Sequence, residues 1–564
     1  MSRLAAVALV AALTAAGILA ARPLGAQETP DVEAGAGGAR QTYARWCAGC
    51  HGDDGAGDGP AARYMLPRPR DFTTGLYQIR STPSGALPLD SDILAVIAGG
   101  MPGTAMPGWK QTLSGAEMEG LVEYLKTFSP FFASQEPPAA VTVGDVPGVS
   151  EEALAEGRAT YEKIECWKCH GQAGRGDGPS APTLEDEDDH PVRAADLTEN
   201  WLFNGGGSVE AIYTRLLTGL SGTPMPSFAD LVDAEVVTEE QLWNVAHYVR
   251  SLAPEKPPEV REVVRAARVE GELPAAPGDA AWAGAERYYV PLVGQIIARP
   301  RWFAPTVDGV WVQALHNGRE VALRLTWHDP SKSPDSEWGE WGGRVAALMA
   351  PELAAPGAGP AADTTGATVT AGDTLAAPVA TGAGASLPDR LVVQFPQRLT
   401  DGMERPYFLL GNAKEAVYLW EWASAPDGAR EALGRGLGQT TPLPGAGSLT
   451  VSAAYDQGQW QLVIRRPLAA GDSTERLVFE PGRAIPMALF AWDGSNGESG
   501  TQGAISSWYF LYLDQPTAKT VYVAPILATL LTAALGVMVV TRAQRRAAGR
   551  ANAPPTRAKE NDSP

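Results

Sequence analysis

Cysteine and histidine are both scarce: the 564 residues hold four cysteines and six histidines. Four thiols, placed as two close pairs, cannot build the framework of a disulfide-dense scaffold. They also leave no further cysteines to complete two tetrahedral zinc sites. Basic residues are outnumbered, 45 Lys and Arg against 65 Asp and Glu, for a formal net charge of −20. Nucleic-acid binding needs clustered cations to neutralise phosphates, so that class of partner is excluded. An acidic surface instead steers association toward basic partners. Long hydrophobic runs are missing from all but the two ends of the chain.

At the first end, Arg3 precedes an apolar run from Leu4 to Ala21 and a small-residue stretch reaching Ala26. This predicts a secretory signal peptide over residues 1–26, with an uncleaved anchor as the alternative, and export of the downstream chain either way. At the other end, Val521 to Val540 carries no charge. Twenty residues at ~1.5 Å each reach ~30 Å, the thickness of a bilayer's hydrocarbon core. Lys519 lies before this run, and Arg542, Arg545, Arg546 and Arg550 lie after it. The positive-inside bias predicts one transmembrane helix over 521–540 and a cytoplasmic basic tail over 541–564. The expected location is the inner cell membrane, with the remainder on the periplasmic side.

The cysteines form two C-x-x-C pairs, Cys47/Cys50 and Cys166/Cys169, each followed at once by a histidine, His51 and His170. Two thiols at this spacing can add to the two vinyl groups of haem, and the adjacent histidine then becomes the proximal iron ligand. A thioredoxin-like redox pair would not require the histidine twice. The surrounding chain is duplicated. Gly57-Asp58-Gly59-Pro60 reappears as Gly176-Asp177-Gly178-Pro179, and Gly103-Thr104-Ala105-Met106-Pro107 as Gly222-Thr223-Pro224-Met225-Pro226. In both copies 55 residues separate the histidine from the methionine. Thioether sulfur is a soft ligand for haem iron and raises its potential, so Met106 and Met225 are the expected sixth ligands. Met101 competes with Met106, but in the repeat it aligns with Leu220. His190, in the acidic loop Glu185–Asp189, and His247, on a helix face, are expected to be non-ligands. Trp109 and Phe228 are candidate shields of the haem edges or core residues, and Arg68 and Arg70 candidate partners for propionates.

Each copy ends in a helix opened by a capping box, Ser114-x-x-Glu117 and Thr238-x-x-Gln241. By these motifs residues 40–128 and 155–252 resemble class I cytochrome c domains. The resemblance implies two all-helical domains, each wrapping one covalently attached haem c, joined by a linker over 129–154. A second linker, 253–280, includes a charged patch with helical character.

From residue 281 the hydrophobic period changes to two. Val321, Leu323, Leu325 and Trp327 alternate with more polar neighbours, as in a strand with one buried face. Asn317-Gly318 joins it to the apolar run Val310–Leu315 and is a hairpin turn signal. Further strands are expected at Arg390–Phe395, Val417–Trp422, Trp460–Ile464, Ile485–Trp492 and Trp508–Leu513. Many short strands with Gly-rich turns predict an all-β antiparallel sandwich over 281–515, interrupted by a low-complexity insertion at 351–387. Several segments carry a resemblance to the haem-binding gamma subunit of ethylbenzene dehydrogenase, of the type II DMSO reductase family. They include Gly309-Val310-Trp311-Val312-Gln313-Ala314, Leu323 to Asp329, Leu410-Gly411-Asn412, Val417 to Trp422, Ala491-Trp492-Asp493-Gly494 and Ser506-Ser507-Trp508.

That family binds haem b through a methionine and a lysine. Here Leu409 and Leu410 stand at the methionine position, and Gln502, Gly503 and Ala504 occupy the lysine region. The expectation is a sandwich without haem b, with Met403, Met487 and His316 as the only substitutes in view. The resemblance implies redox protein partners, among them a molybdenum enzyme with an iron–sulfur subunit. The whole reads as a multidomain membrane-anchored dihaem cytochrome with no substrate chemistry of its own. The alternatives are a haem enzyme opened by loss of a methionine ligand, and a sandwich binding or sensor module with cytochrome output.

Overall fold

The computed structural model describes residues 36–353, 387–400, 405–426, 428–444, 448–469, 474–515 and 520–551. The expected signal peptide, most of the low-complexity insertion, Met403 and the end of the basic tail lie outside the described residues.

Helices build the first part of the chain. In the first copy, α1 (Ala36–Trp46) packs against α3 (Gly115–Lys126), and α2 (Asp90–Gly99) closes the third side. The contact is apolar: Tyr43 of α1 lies 5.4 Å from Tyr124 and 5.0 Å from Phe128, over buried Leu121 and Leu125. The Ser114 hydroxyl accepts from the Glu117 amide while the Glu117 carboxylate accepts from the Ser114 amide, so two otherwise orphaned donors are met. The second copy repeats this with α4 (Glu151–Lys163), α5 (Val209–Thr218) and α6 (Glu239–Leu252), the last opened by the Thr238/Gln241 box. Here the pair crosses at a glycine. A Cβ on Gly157 would collide with the Asn244 carbonyl and sit 2.9 Å from the Tyr248 Cβ.

The linker expected at 253–280 is a correction, because β1 (Val263–Arg268) lies within it. Val264 and Ala266 are buried on either side of exposed Arg265, a strand whose small apolar residues give little signal in sequence. Among the described residues thirteen strands follow: β2 (Tyr288–Pro291), β3 (Val293–Gly294), β4 (Gly309–His316), β5 (Glu320–His328), β6 (Arg390–Pro396), β7 (Val417–Ala423), β8 (Ala429–Gly434), β9 (Thr440–Pro442), β10 (Thr450–Asp456), β11 (Gln459–Pro467), β12 (Ala484–Trp492), β13 (Ala504–Ile505) and β14 (Tyr509–Leu513). The order is β10-β11-β5-β4-β1-β14-β12-β6-β7-β8-β9.

β12 joins the two halves. Its first residues, Ala484–Met487, pair with β14, and its last, Ala488–Trp492, pair with β6. The halves share one core, in which Trp327 of β5 meets Trp422 of β7 edge to face at 5.6 Å.

Two features correct the all-β antiparallel expectation. β1 runs parallel to both neighbours, β4 and β14, because it enters from the helical region rather than through a hairpin. A helix, α7 (Ser336–Leu353), also breaks the β region; Trp338, Trp341, Val345 and Met349 are buried at helical spacing beside Trp302 and Ala181. Its Arg344 reaches the Glu185 carboxylate and the Pro182 carbonyl of the second helical unit. The Asn317-Gly318 hairpin forms with Gly318 at φ +84°.

The last element, α8 (Thr520–Ala551), contains a 28-residue stretch, Val521–Ala548, whose most apolar 18 residues have a mean hydropathy of 2.3 and are not buried in the chain. It is one helix long and apolar enough to cross a membrane.

Candidate haem centres

The first C-x-x-C-H stretch leaves the end of α1 as a tight helical turn, with the His51 amide donating to the Cys47 carbonyl at 2.9 Å. Gly52, at φ +80°, then reverses the chain. Its carbonyl is held by the Tyr43 hydroxyl at 2.7 Å. His51 Nδ1 lies 3.0 Å from the Arg70 carbonyl. A hydrogen bond there fixes the tautomer and leaves Nε2 free as a ligand atom. The ring stacks on Phe72 at 4.5 Å, and burial holds its pKa below the ordinary value, favouring the neutral form that binds metal.

Burial also pushes the Cys47 thiol up to about 11 and raises Cys50. A dithiol redox pair needs the opposite shift, toward thiolate. One cavity is lined by Cys47, Cys50, His51, Met101, Met106 and Trp109, closed below by Ile93, Ile97 and Leu121. Both candidate methionines therefore stand at its wall.

The methionine loop is pinned by its own backbone. The Met101 amide donates to the Met106 carbonyl at 3.0 Å, the Thr104 hydroxyl to the Met101 carbonyl at 2.7 Å, and the Met106 amide to the Thr104 hydroxyl at 3.1 Å. The second copy reproduces each contact. Leu220 bonds Met225, the Thr223 hydroxyl donates to Leu220, and the Met225 amide to Thr223, at 3.1, 2.8 and 3.3 Å. Tyr161 holds the Gly171 carbonyl at 2.7 Å, and His170 Nδ1 lies 3.0 Å from the Ala195 carbonyl. Burial lowers the His170 pKa and pushes the Cys166 thiol up to about 12. Cys166 and Met225 pack on one apolar cluster with Tyr213, Leu216 and Trp243.

The equal spacing now has a physical basis. The histidine lies 19 residues before its carbonyl partner in the first copy and 25 in the second. The second copy's surplus is the acidic loop. The first copy recovers it between Arg70 and Met106.

Other candidates fall into place. His247 Nε2 lies 3.0 Å from the Pro147 carbonyl, whereas His190 Nδ1 sits 3.4 Å from the Asp186 carboxylate and makes no hydrogen bond. Phe228 belongs to the apolar core of the second copy. Arg68 and Arg70 line the first cavity, while Arg68 also bonds the Ala62 and Leu348 carbonyls and Arg70 pairs with Glu187.

The two helical units close on each other at their methionine loops. A Cβ on Gly222 would lie 3.0 Å from Arg70 Nη2, and one on Gly103 would lie 3.6 Å from the Leu202 Cβ. Arg80, with no exposed surface, donates to the Thr218 carbonyl at 2.8 Å, and Arg215 donates back to the Arg80 carbonyl at 2.6 Å. Asn204 of the second unit lines the first cavity. Arg80, Asn204, Glu187 and Arg215 were not legible as site residues, since their partners lie over a hundred positions away.

The first cavity fits a c-type haem on its own terms. It is apolar, has two thiols and a neutral imidazole with Nε2 free, and holds the buried Tyr77 hydroxyl and Trp109 indole N–H, neither with a protein partner. Among the described residues of the β region, those weighed as haem b ligands stand in other surroundings. Leu409 and Leu410 are 2% exposed and pack with Val392, Phe490 and Trp492. Met487 is a fully buried core residue, and His316 Nε2 is tied to the Asp514 carbonyl at 2.8 Å.

Residues 34–125 match the family model described as cytochrome c oxidase, cbb3-type, subunit III, and residues 154–253 match that of cytochrome c. The chain thus carries cytochrome c domains, which imply covalent haem c and electron transfer. A Haloferax mediterranei protein named as a respiratory nitrate reductase haem subunit is 31% identical over 121 residues. That match spans 22% of this chain and 42% of the relative. A chain from the reducing HAO-like protein complex of Kuenenia stuttgartiensis is 44% identical, with a TM-score of 0.37, over 38% of this chain and 96% of its own. A family 9 carbohydrate-binding module from Caldicellulosiruptor kristjanssonii overlaps 45% of this chain and 98% of its own at 7% identity and a TM-score of 0.23, too loose to identify a fold.

Proposed function

We propose that the chain is a membrane-anchored dihaem electron-transfer subunit, with haem c held by Cys47, Cys50, His51 and Met106 in one domain and by Cys166, Cys169, His170 and Met225 in the other. The observation that carries this is the duplication of the whole site. The same histidine–carbonyl bond and the same three methionine-loop hydrogen bonds occur twice, at equivalent positions.

Haem c supplies a one-electron couple at each site. The chain's residues set the conditions. The Arg70 and Ala195 carbonyls orient the imidazoles, the threonine hydroxyls hold the methionines in place, and Trp109 and the buried apolar walls keep water from the first cavity. His51 with Met106, and His170 with Met225, would hold the iron from the protein side at each centre, which would favour electron transfer over substrate chemistry. Contact of each methionine loop with the opposite unit, Gly103 beside Leu202 and Gly222 beside Arg70, supports transfer from one centre to the other within the chain.

The β region acts as a sandwich that resembles the gamma subunit of ethylbenzene dehydrogenase, works without haem b, and docks the cytochrome pair to a redox partner. Two features support a respiratory assembly: the relative named as a nitrate reductase haem subunit, and the apolar α8. A molybdenum enzyme with an iron–sulfur subunit is the partner that the gamma-like resemblance suggests. The haem domains would face the periplasm, with residues 541–564 in the cytoplasm.

Haem stoichiometry is the test. Acid–acetone extraction of mature protein should leave two haems bound per chain and remove none. Oxidised protein should show the weak near-infrared sulfur-to-iron band. One covalent haem, or a stoichiometric extractable haem, overturns the assignment.

A further inference from the structure

A cluster at the strand ends of the β region has no part in this account. Asp329 follows β5, Asp389 precedes β6 and Asp493 follows β12, so three strand ends from both halves of the sheet deliver carboxylates to one point. One oxygen of each lies within 4.8 Å of the others, and the residues are 0%, 0% and 2% exposed.

Two of the three are well provided with donors. Asp389 accepts from the Gly494 amide at 3.1 Å, the Ser333 amide at 2.9 Å and the Trp460 indole at 3.1 Å. Asp493 accepts from the Ser495 and Asn496 amides at 2.8 and 3.2 Å and from the Ser333 hydroxyl at 3.3 Å. These bonds give both buried side chains partners.

Asp329 is different. Its Oδ1 takes the Ser331 amide at 3.2 Å, but its buried Oδ2 meets no donor. The adjoining Ser331 hydroxyl, 4% exposed, is also without a partner. Unmet oxygens this deeply buried are costly unless something outside the chain satisfies them.

Charge makes the same demand. Buried Glu498 adds a fourth carboxylate beside Asp493, whose amide it accepts at 3.0 Å. The nearby cation is Arg193, which spends its donors on the Pro305 carbonyl and the Thr306 hydroxyl and lies over the Trp341 ring. Lys332 is exposed and lies 5.9 Å from the Trp460 ring centroid. Among the described residues no ion pair reaches any of the three aspartates.

All the donors are oxygen, the set that hard cations select. Ca2+ binds oxygen at about 2.3–2.6 Å, so oxygens on opposite sides of one ion lie about 5 Å apart. We propose that Asp329, Asp389 and Asp493 hold a divalent cation of the calcium class, which ties the ends of β5, β6 and β12 together. The Tyr455 hydroxyl, 3.1 Å from the Asp329 carbonyl, would couple that lock to the strand β10.

The test uses the full-length holoprotein after metal depletion. Isothermal titration with CaCl2 should show one ion per chain, and calorimetry should show a higher unfolding temperature with Ca2+ than with EGTA. Asp329→Asn should weaken binding by on the order of tenfold or more, since even supporting residues change metal affinity that much. Without Ca2+ this variant should unfold at or above the wild-type temperature, because a buried charge has been removed; with Ca2+ it should fall below it. Asp493→Asn provides a second, independent loss of binding. Wild-type protein that binds no Ca2+ at millimolar concentration, or unfolds identically with Ca2+ and EGTA, overturns the proposal. So does an Asp329→Asn variant that binds Ca2+ as tightly as the parent.

Discussion

Replacing Gly157 by alanine pits helix propensity against packing, and the structure says which wins. Alanine is favoured over glycine in a helix interior by about 1 kcal/mol. At Gly157, however, the added methyl runs into backbone. It collides with the Asn244 carbonyl oxygen, lies 2.6 Å from the Asn244 carbonyl carbon and 2.9 Å from the Tyr248 Cβ. None of these can rotate away, so α4 must lift from α6. Overpacking of this kind costs about 1–3 kcal/mol, and a clash with main chain belongs at the upper end. The net expectation is a loss of about 1–2 kcal/mol.

Gly120 of α3 is the matched control. A Cβ there meets only the Ala39 Cβ, at 3.6 Å, an ordinary contact. Gly120→Ala should therefore be neutral or stabilising by up to about 1 kcal/mol. Guanidinium titrations followed by the near-infrared band would read both, since α4 leads into Cys166 and α6 packs under the Met225 cluster. If Gly157→Ala proves as stable as wild type, or Gly120→Ala the more damaging, the packing argument is wrong.

Three other outcomes rest on named contacts. Met106→Leu and Met225→Leu should each remove about half of the near-infrared band and open one iron to carbon monoxide in the reduced protein, because leucine has no lone pair to give iron; an unchanged band in either would reassign that ligand, with Met101 next in line at the first centre. Glu431→Ala should destabilise the β region by about 3–5 kcal/mol in urea titrations, because it strands the buried Arg466 and Arg476, with Arg476 3.1 Å from the carboxylate; a loss below about 1 kcal/mol would show that the arginines find other partners. In Ca2+-free protein, stability should rise as pH falls from about 7 toward 5. Burial pushes Glu498 to about 7 and raises Asp329 and Asp389 above the carboxylate range. A folded-state pKa above the unfolded one means that folding takes up protons, so acid favours the folded form until the unfolded carboxyls titrate near 4. A melting temperature that falls throughout this window would contradict those shifts.

The amino-acid sequence determined what is local. Cys47-x-x-Cys50-His51 and its repeat are consecutive in the chain, and the methionine loops hold themselves by bonds within six residues. The capping boxes, the Asn317-Gly318 hairpin and the apolar run in α8 were legible for the same reason. Short apolar runs likewise placed β5, β6, β7, β11 and β12 within a few residues of their bounds, although β5, β6, β7 and β12 prove to be buried on both faces rather than one.

Contacts between distant segments were decided only by tertiary structure. β1 reads as a charged linker until β4 and β14 flank it, because Val264 and Ala266 carry too little apolar surface to announce a strand. The helical period of α7 becomes meaningful only where Trp302 and Ala181 cover it. Arg80 and Asn204 are ordinary surface types in sequence, yet the seam between the cytochrome units buries one and turns the other toward the first cavity. The three aspartates lie up to 164 positions apart, and only the closure of both sheet halves brings their carboxylates together. Covalent neighbours fix hydrogen-bond geometry within a turn, whereas burial and charge compensation depend on which surfaces meet.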